Sequence, residues 1–288
     1  MKKVYFIFVT VTLLFITACV DKPNYEMISE MNNMHTIEIV YYTAESDTEL
    51  GEFPVSRNLY GDLIEEIEKD EPAYIILKFF FDTKKDQDLE LSNTIGKYNN
   101  ILTQATTGLE PVRITPDSVL EILSLDNINL KSIDNKQIVL PNNTLLNSFS
   151  GIGIVDFIST NSNEYLNCPL ISQVKGYYFP TLALKMGMLI TDSEPVYKNG
   201  TTSLGGKDLL TEDGMFRIDL SEPQEFYKTY SFVEVLNRNK EVINFSDKII
   251  IVFIEDPAVR NVKSKYGKFH NDAEIVADSI NTILKHLE

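Results

Sequence analysis

The chain has 288 residues and carries 26 Lys and Arg against 42 Asp and Glu, a formal charge of -16. Such a surface repels phosphate backbones and anionic headgroups, which argues against nucleic-acid partners. The length suits one large α/β domain, which buries about three quarters of its unfolded surface, and with only Cys19 and Cys168 present a disulfide framework is excluded.

Lys2 and Lys3 precede an apolar run from Val4 to Ile16, too short for the roughly 20 residues of a spanning helix. The run closes on Ile16-Thr17-Ala18-Cys19. This arrangement resembles a bacterial lipobox, which implies a signal peptide over residues 1–18 and an acylated Cys19 as first mature residue. The alternative is an ordinary secretory signal cut near Ala18. A lipid with more than one chain anchors stably, so the expected place is the cell envelope, on the extracytoplasmic side of a bacterial membrane. Residues 19–34, polar and without period, read as a flexible tether, and 35–288 as the folded domain. With Cys19 acylated no internal disulfide can form. Cys168, in Leu166-Asn167-Cys168-Pro169-Leu170, has no neighbouring His or basic residue to activate it and reads as a small buried hydrophobe.

Strands and helices then alternate. Thr36 to Tyr42 is β-rich, and Leu59, Tyr60, Leu63, Ile64 and Ile67 follow at helical spacing, with Ser56 as N-cap and Pro72 beyond the end. Ala73 to Phe81 is too apolar for a strand with one wet face, so it is predicted to be central and covered on both sides. A polar helix is expected over Asp86 to Tyr98, a short strand over Ile101 to Ala105, and a helix over Asp117 to Leu125 entered at Pro116. Asn127 to Ser150 is poorly patterned. Gly151 to Ile158 reads as a strand, Pro180 to Ile190 as a helix, 191–214 as loop, Met215 to Leu220 as a strand, Lys248 to Ile254 as a second fully apolar strand, and Ala273 to Leu287 as a helix capped by Asn271 or Asp272. Alternating strands and helices imply right-handed crossovers. The predicted fold is a single α/β domain, a three-layer sandwich around a mostly parallel sheet.

Few local motifs point to chemistry. Gly200 to Lys207 resembles a phosphate loop only in passing, because its lysine is displaced, Asp208 replaces the hydroxyl and no apolar strand precedes it, so it reads as surface loop. His35, His270 and His286 are scattered without ligand spacing, which predicts exposed histidines and no metal. No Gly-x-Ser-x-Gly elbow supports a hydrolase triad, and no cofactor is implied. Glu45, Arg57, Lys78, Asp82, Asp256 and Arg260 lie at or past predicted strand ends, or beside the helix that follows. Ligands of open parallel sheets bind at that edge, so these six are the candidate ligand or partner contacts. Lys78, alone among apolar residues, has the competing explanation of snorkelling or pairing with a nearby carboxylate.

Read in order, several segments resemble the second type of CHASE domain, an extracytoplasmic sensory module of bacterial cyclases and kinases, over about residues 36–287. The family's Gly-Arg-Trp-Pro-Trp followed by Arg and a helix corresponds to Gly51-Glu52-Phe53-Pro54-Val55-Ser56-Arg57, with Tyr60 beyond. Gly176-Tyr177-Tyr178-Phe179-Pro180-Thr181-Leu182-Ala183-Leu184 resembles its Tyr-Pro-Ser-Leu-Ala-Leu segment. Ser231 to Leu236, Asp247 to Val252 and Ala273 to Leu284 resemble the segments leading to its last strand and its terminal helix. Both family tryptophans are absent, the acidic residue usual in the second strand is Lys78, paired arginines become Leu166 and Asn167, and the glycine after the last strand is replaced near Phe253. The resemblance implies a non-catalytic sensory or ligand-binding module. With no output domain in the 288 residues, it is expected to work with a separate transmembrane kinase, cyclase or transporter and an unidentified small ligand. An envelope-associated hydrolase and a structural lipoprotein without a ligand are the rival readings.

Overall fold

The strands whose residues are apolar without alternation form the middle of the molecule. The computed structural model describes residues 36–288 except 112, 129, 131–133, 157, 160–164, 210, 213–214, 221–226, 239–241, 256–261 and 264–268. The expected signal peptide, Cys19 and the tether lie outside the described residues.

Six strands form the central sheet: β1 (Ile37–Tyr42), β2 (Tyr74–Leu77), β3 (Ile101–Ala105), β4 (Gly151–Ile154), β5 (Lys228–Ser231) and β6 (Ile249–Ile254). Their order is β5-β1-β6-β2-β3-β4, and each pairing is parallel. The last strand therefore sits between the first two, with Ile37 opposite Ile249 and Val252 opposite Leu77. All six residues of β1 and five of the six in β6 are buried, as strands covered on both faces must be.

On one face Val40, Tyr42, Ile75, Leu77, Ile250 and Val252 meet α2 (Arg57–Glu68), α3 (Asp88–Ile95), α5 (Asn143–Leu146) and α7 (Phe232–Leu236). The short α1 (Ala44–Leu50) packs against α7. Leu63, Ile64 and Ile67 of α2 are fully buried, each worth about 1.5–3 kcal/mol of apolar burial. On the opposite face α6 (Leu182–Thr191) and α8 (Asp272–Leu287) pack on each other, α6 against β4 and α8 against β6. Two helical layers enclosing one sheet give the three-layer α/β arrangement. A Cβ on Gly153 would lie 2.2 Å from Leu182 Cα, so β4 admits no side chain where α6 begins.

Several segments differ from the sequence reading. The ladder of β2 ends at Leu77, and Lys78 to Phe81 leave it as the chain turns toward α3. α6 starts at Leu182, capped by Thr181, and not at Pro180, because Pro180 closes a hairpin of Ile171–Val174 with Tyr177–Pro180. The poorly patterned stretch contains α5, capped by Asn142. Residues expected as loop form a three-stranded antiparallel sheet of Val196–Lys198, Thr201–Leu204 and Lys207–Leu209. The phosphate-loop lookalike is its turns and strands, with Gly200, Gly205 and Gly206 at φ +86, +58 and +80, a backbone that suits tight hairpins. Met215–Asp219 pairs with Tyr165–Pro169 in another antiparallel sheet. Cys168, in that sheet, is buried, which pushes its thiol up to about 12.

Candidate strand-end site

The helices after β1 and β2 lie on one face, while α8, after β6, lies on the other. Because β6 separates β1 from β2, the chain diverges above and below the sheet at their carboxyl ends, the kind of switch point where open α/β sheets hold ligands.

Lys78 stands there as the first residue past β2. Its backbone N–H still donates to the Val252 carbonyl at 2.9 Å, while its side chain, 4 % exposed, turns toward α8. Nζ lies 3.5 Å from Asp272 Oδ2 and 4.1 Å from the centre of the Phe253 ring. Burial pulls the ammonium down to about 8, opposed by the charge and hydrogen bond of Asp272. Asp272 opens α8, and Asn271 caps it by accepting from the Ala273 and Glu274 N–H groups at 3.0 Å each. Asn271 Nδ2 donates to Tyr41 Oη at 2.7 Å, joining the end of β1 to the cap. Burial raises the Tyr41 hydroxyl, leaving it protonated.

Arg57 belongs to a second cluster on the α2 side. Its Nε donates to Asp88 Oδ1 at 2.7 Å, Nη2 donates to the Thr83 carbonyl at 3.0 Å, and the guanidinium lies 4.8 Å from the Phe81 ring centre. Asp88 also accepts from the Lys85 N–H at 2.7 Å and from Asn142 Nδ2 at 3.0 Å. Arg57 and Asp88 are both buried, so this pair clamps α2, the loop after β2, α3 and the cap of α5. Asp82, half-buried in that loop, accepts from the Thr83 N–H at 2.9 Å. Glu45 is exposed in the first turn of α1, where a carboxylate suits the helix dipole. Asp256 and Arg260 lie outside the described residues. The four described candidates thus share one end of the sheet, where Lys78 and Arg57 head two groups with no common partner among the described residues.

Aromatic rings fill the space beneath. Phe53, in the motif before α2, lies 5.7 Å from Tyr42 and 5.9 Å from Phe79, and Tyr60 meets Phe79, Phe81 and Phe232 edge-on. Gly51, at φ +105, supplies the bend that brings Phe53 over them.

The sequence reading missed several polar groups. Asp156, just past β4, accepts from the Thr107 N–H at 2.9 Å and from the Thr106 hydroxyl. His270 is fully buried, contrary to the expectation of exposed histidines, with Nδ1 3.2 Å from Asp278 Oδ2 but off the angle of a hydrogen bond. The Tyr227 hydroxyl donates to Asp278 Oδ1 at 2.6 Å. Their partners lie about fifty residues away or, for His270, eight residues on, and no local pattern signals them. A cavity of about 350 Å³ opens beside β4, lined by none of the charged residues of either cluster, with Leu123, Ile138, Leu146, Phe179 and Lys185 in its wall. Among the described residues no group of three or more His, Cys, Asp or Glu is placed to hold a metal ion, and no helix is long and apolar enough to cross a membrane.

This is an α/β domain built around an open parallel sheet, with charged groups and helix starts gathered at its switch point. The chain belongs to the CHASE2 domain family, whose model matches residues 5–287. CHASE2 domains are extracytoplasmic sensory domains of membrane signalling proteins. The match reaches beyond the span 36–287 that the motifs cover, into the N-terminal apolar segment. No curated protein and no solved structure matches the chain.

Proposed function

We propose that this protein is a lipid-anchored, non-catalytic sensory module that passes the state of its strand-end loops to a separate membrane protein such as a transmembrane kinase, cyclase or transporter. Acylation of Cys19 holds it at the extracytoplasmic face. The observation that carries the reading is the Lys78 group: one buried ammonium ties the end of β2, the end of β6 and the start of α8 together. A ligand or partner that binds one arrangement of these loops better than another shifts their population by its differential affinity. Glu45 in the first turn of α1 and Asp82 in the loop after β2 lie at this end, and Arg57 fixes the loop that carries Asp82; Asp256 and Arg260 follow β6 in sequence and complete the proposed contact.

The test is site-specific photo-crosslinking in intact cells, with the photoreactive residue at Glu45 or Asp82 and, as control, at the exposed Asp247 beside the opposite end of β6. The reading expects a protein with transmembrane segments attached from the first two positions and not from the third. Labelling from all three alike, or from none, overturns it. A Cys19→Ala form, expected to leave the membrane fraction, checks the anchor separately.

A further inference from the structure

The Arg57 and Lys78 groups leave the cavity beside β4 unexplained. β4 is the last strand of the sheet, and beyond it the described chain offers only a single bridge, from Ile154 to Thr181. The cavity of about 350 Å³ follows this edge between the β4 backbone, the end of α4 (Asp117–Leu123), the start of the loop after α5, and α6. That volume lies within the roughly 300–1,000 Å³ of small-molecule sites.

Two independent features of the wall point to a ligand. The first is Lys185 of α6, half-buried, whose ammonium has neither hydrogen bond nor ion pair among the described residues. Its stem crosses the sheet edge at Gly151, where an added Cβ would lie 3.2 Å from both Cγ and Cε. The missing side chain at 151 thus lets the lysine lie along the cavity wall. The second feature is apolar: Leu140, Leu146 and Phe179 are buried in the wall, and Ile122, also lining it, is 80 % exposed. A large aliphatic side chain left in water at a cavity gains when an apolar body covers it.

We infer that this cavity binds a small amphipathic monocarboxylate, with the carboxylate on Lys185 and the apolar body along the wall toward Ile122. Glu194 also lines the cavity and disfavours a second negative charge on the ligand. A cavity of about 150 Å³ takes benzene, so this one takes about a dozen non-hydrogen atoms. The inference deepens the sensory reading by naming a ligand class, but the cavity stands apart from the strand-end partner surface, and the two fail separately: an empty cavity leaves the crosslinks unchanged, and absent crosslinks leave binding unchanged.

The test is calorimetric titration of the full chain in lipid nanodiscs, with empty nanodiscs as blank, using octanoate, 3-phenylpropanoate, octanol and octylammonium. The two carboxylates distinguish a fatty chain from an aromatic body. The expected result is binding of at least one carboxylate about tenfold or more tighter than octanol or octylammonium, a gap of about 1.4 kcal/mol. Lys185→Met should remove that preference while leaving octanol unchanged, and Ala105→Leu, which fills the cavity, should weaken every probe. Lys97→Met, at an exposed lysine paired with Glu65, is the control. Binding of neither carboxylate, or carboxylate binding equal in wild type and Lys185→Met, overturns the inference. If Ala105→Leu fails to fold, the Lys185→Met comparison decides alone.

Discussion

An ammonium almost sealed from water beside one half-exposed carboxylate is charged at a cost. Lys78 titrates at about 8 in the fold and at its ordinary 10.5 when unfolded. Below about 8 both states are protonated and the desolvation penalty is felt in full. Between about 8 and 10.5 the unfolded chain holds one more proton, so this group raises stability with pH, and above that range its penalty is gone. Lys78→Met removes the charge while keeping much of the volume, and Asp272, with its side chain 27 % exposed, can hydrate. The variant is expected to be more stable than wild type by about 1–3 kcal/mol at neutral pH, with the difference vanishing toward the alkaline end. Urea unfolding of both proteins across this range checks it; a difference independent of pH contradicts the assignment. That Lys78 lies toward the end of a strand was legible in the sequence, which carried that strand on to Phe81, and pairing with a carboxylate stood there beside snorkelling. The identity of that carboxylate was not legible, because Asp272 lies 194 residues away and meets Lys78 only through the order of the strands.

The Arg57–Asp88 pair acts between elements. Removing the guanidinium leaves Asp88 buried with two neutral donors, so Arg57→Ala is expected to cost about 3 kcal/mol. Removing both partners should cost less than the sum of the single changes by about 1–2 kcal/mol, since neither then leaves a stranded charge. A double-mutant cycle by urea unfolding measures this coupling, and simple additivity would deny the clamp. Elements with a strong period or an unbroken apolar run were readable in the sequence: β1, β6 and α8 end within a residue of their expected bounds, and Asn271 is one of the two expected caps. The short elements were not. β5 has two exposed residues in its four and no alternation, and Val196–Leu209 consists of strands of three or four residues whose hairpin glycines read as loop. Their structure depends on neighbours that local pattern does not encode.

At the scale of the whole molecule, stability is unevenly spread. The parallel sheet is buried on both faces, while the antiparallel sheet of Val196–Leu209 exposes Val196 to 57 % and much of its outer strands. Hydrogen exchange followed by mass spectrometry is expected to show β1, β2 and β6 exchanging slowest and together, with Val196–Leu209 exchanging earlier as a separate unit. Equal protection in both would mean that the excursion is part of the same cooperative core. The strand order has a further consequence for how such a domain reaches its compartment. The slot between β1 and β2 is filled only by β6, near the end of the chain. A polypeptide emerging amino end first carries two unmatched strand edges at its centre until residue 254 has appeared. An extracytoplasmic domain is exported before it works, and a sheet that cannot close early keeps the chain open for threading through a secretion channel until its last strand is delivered.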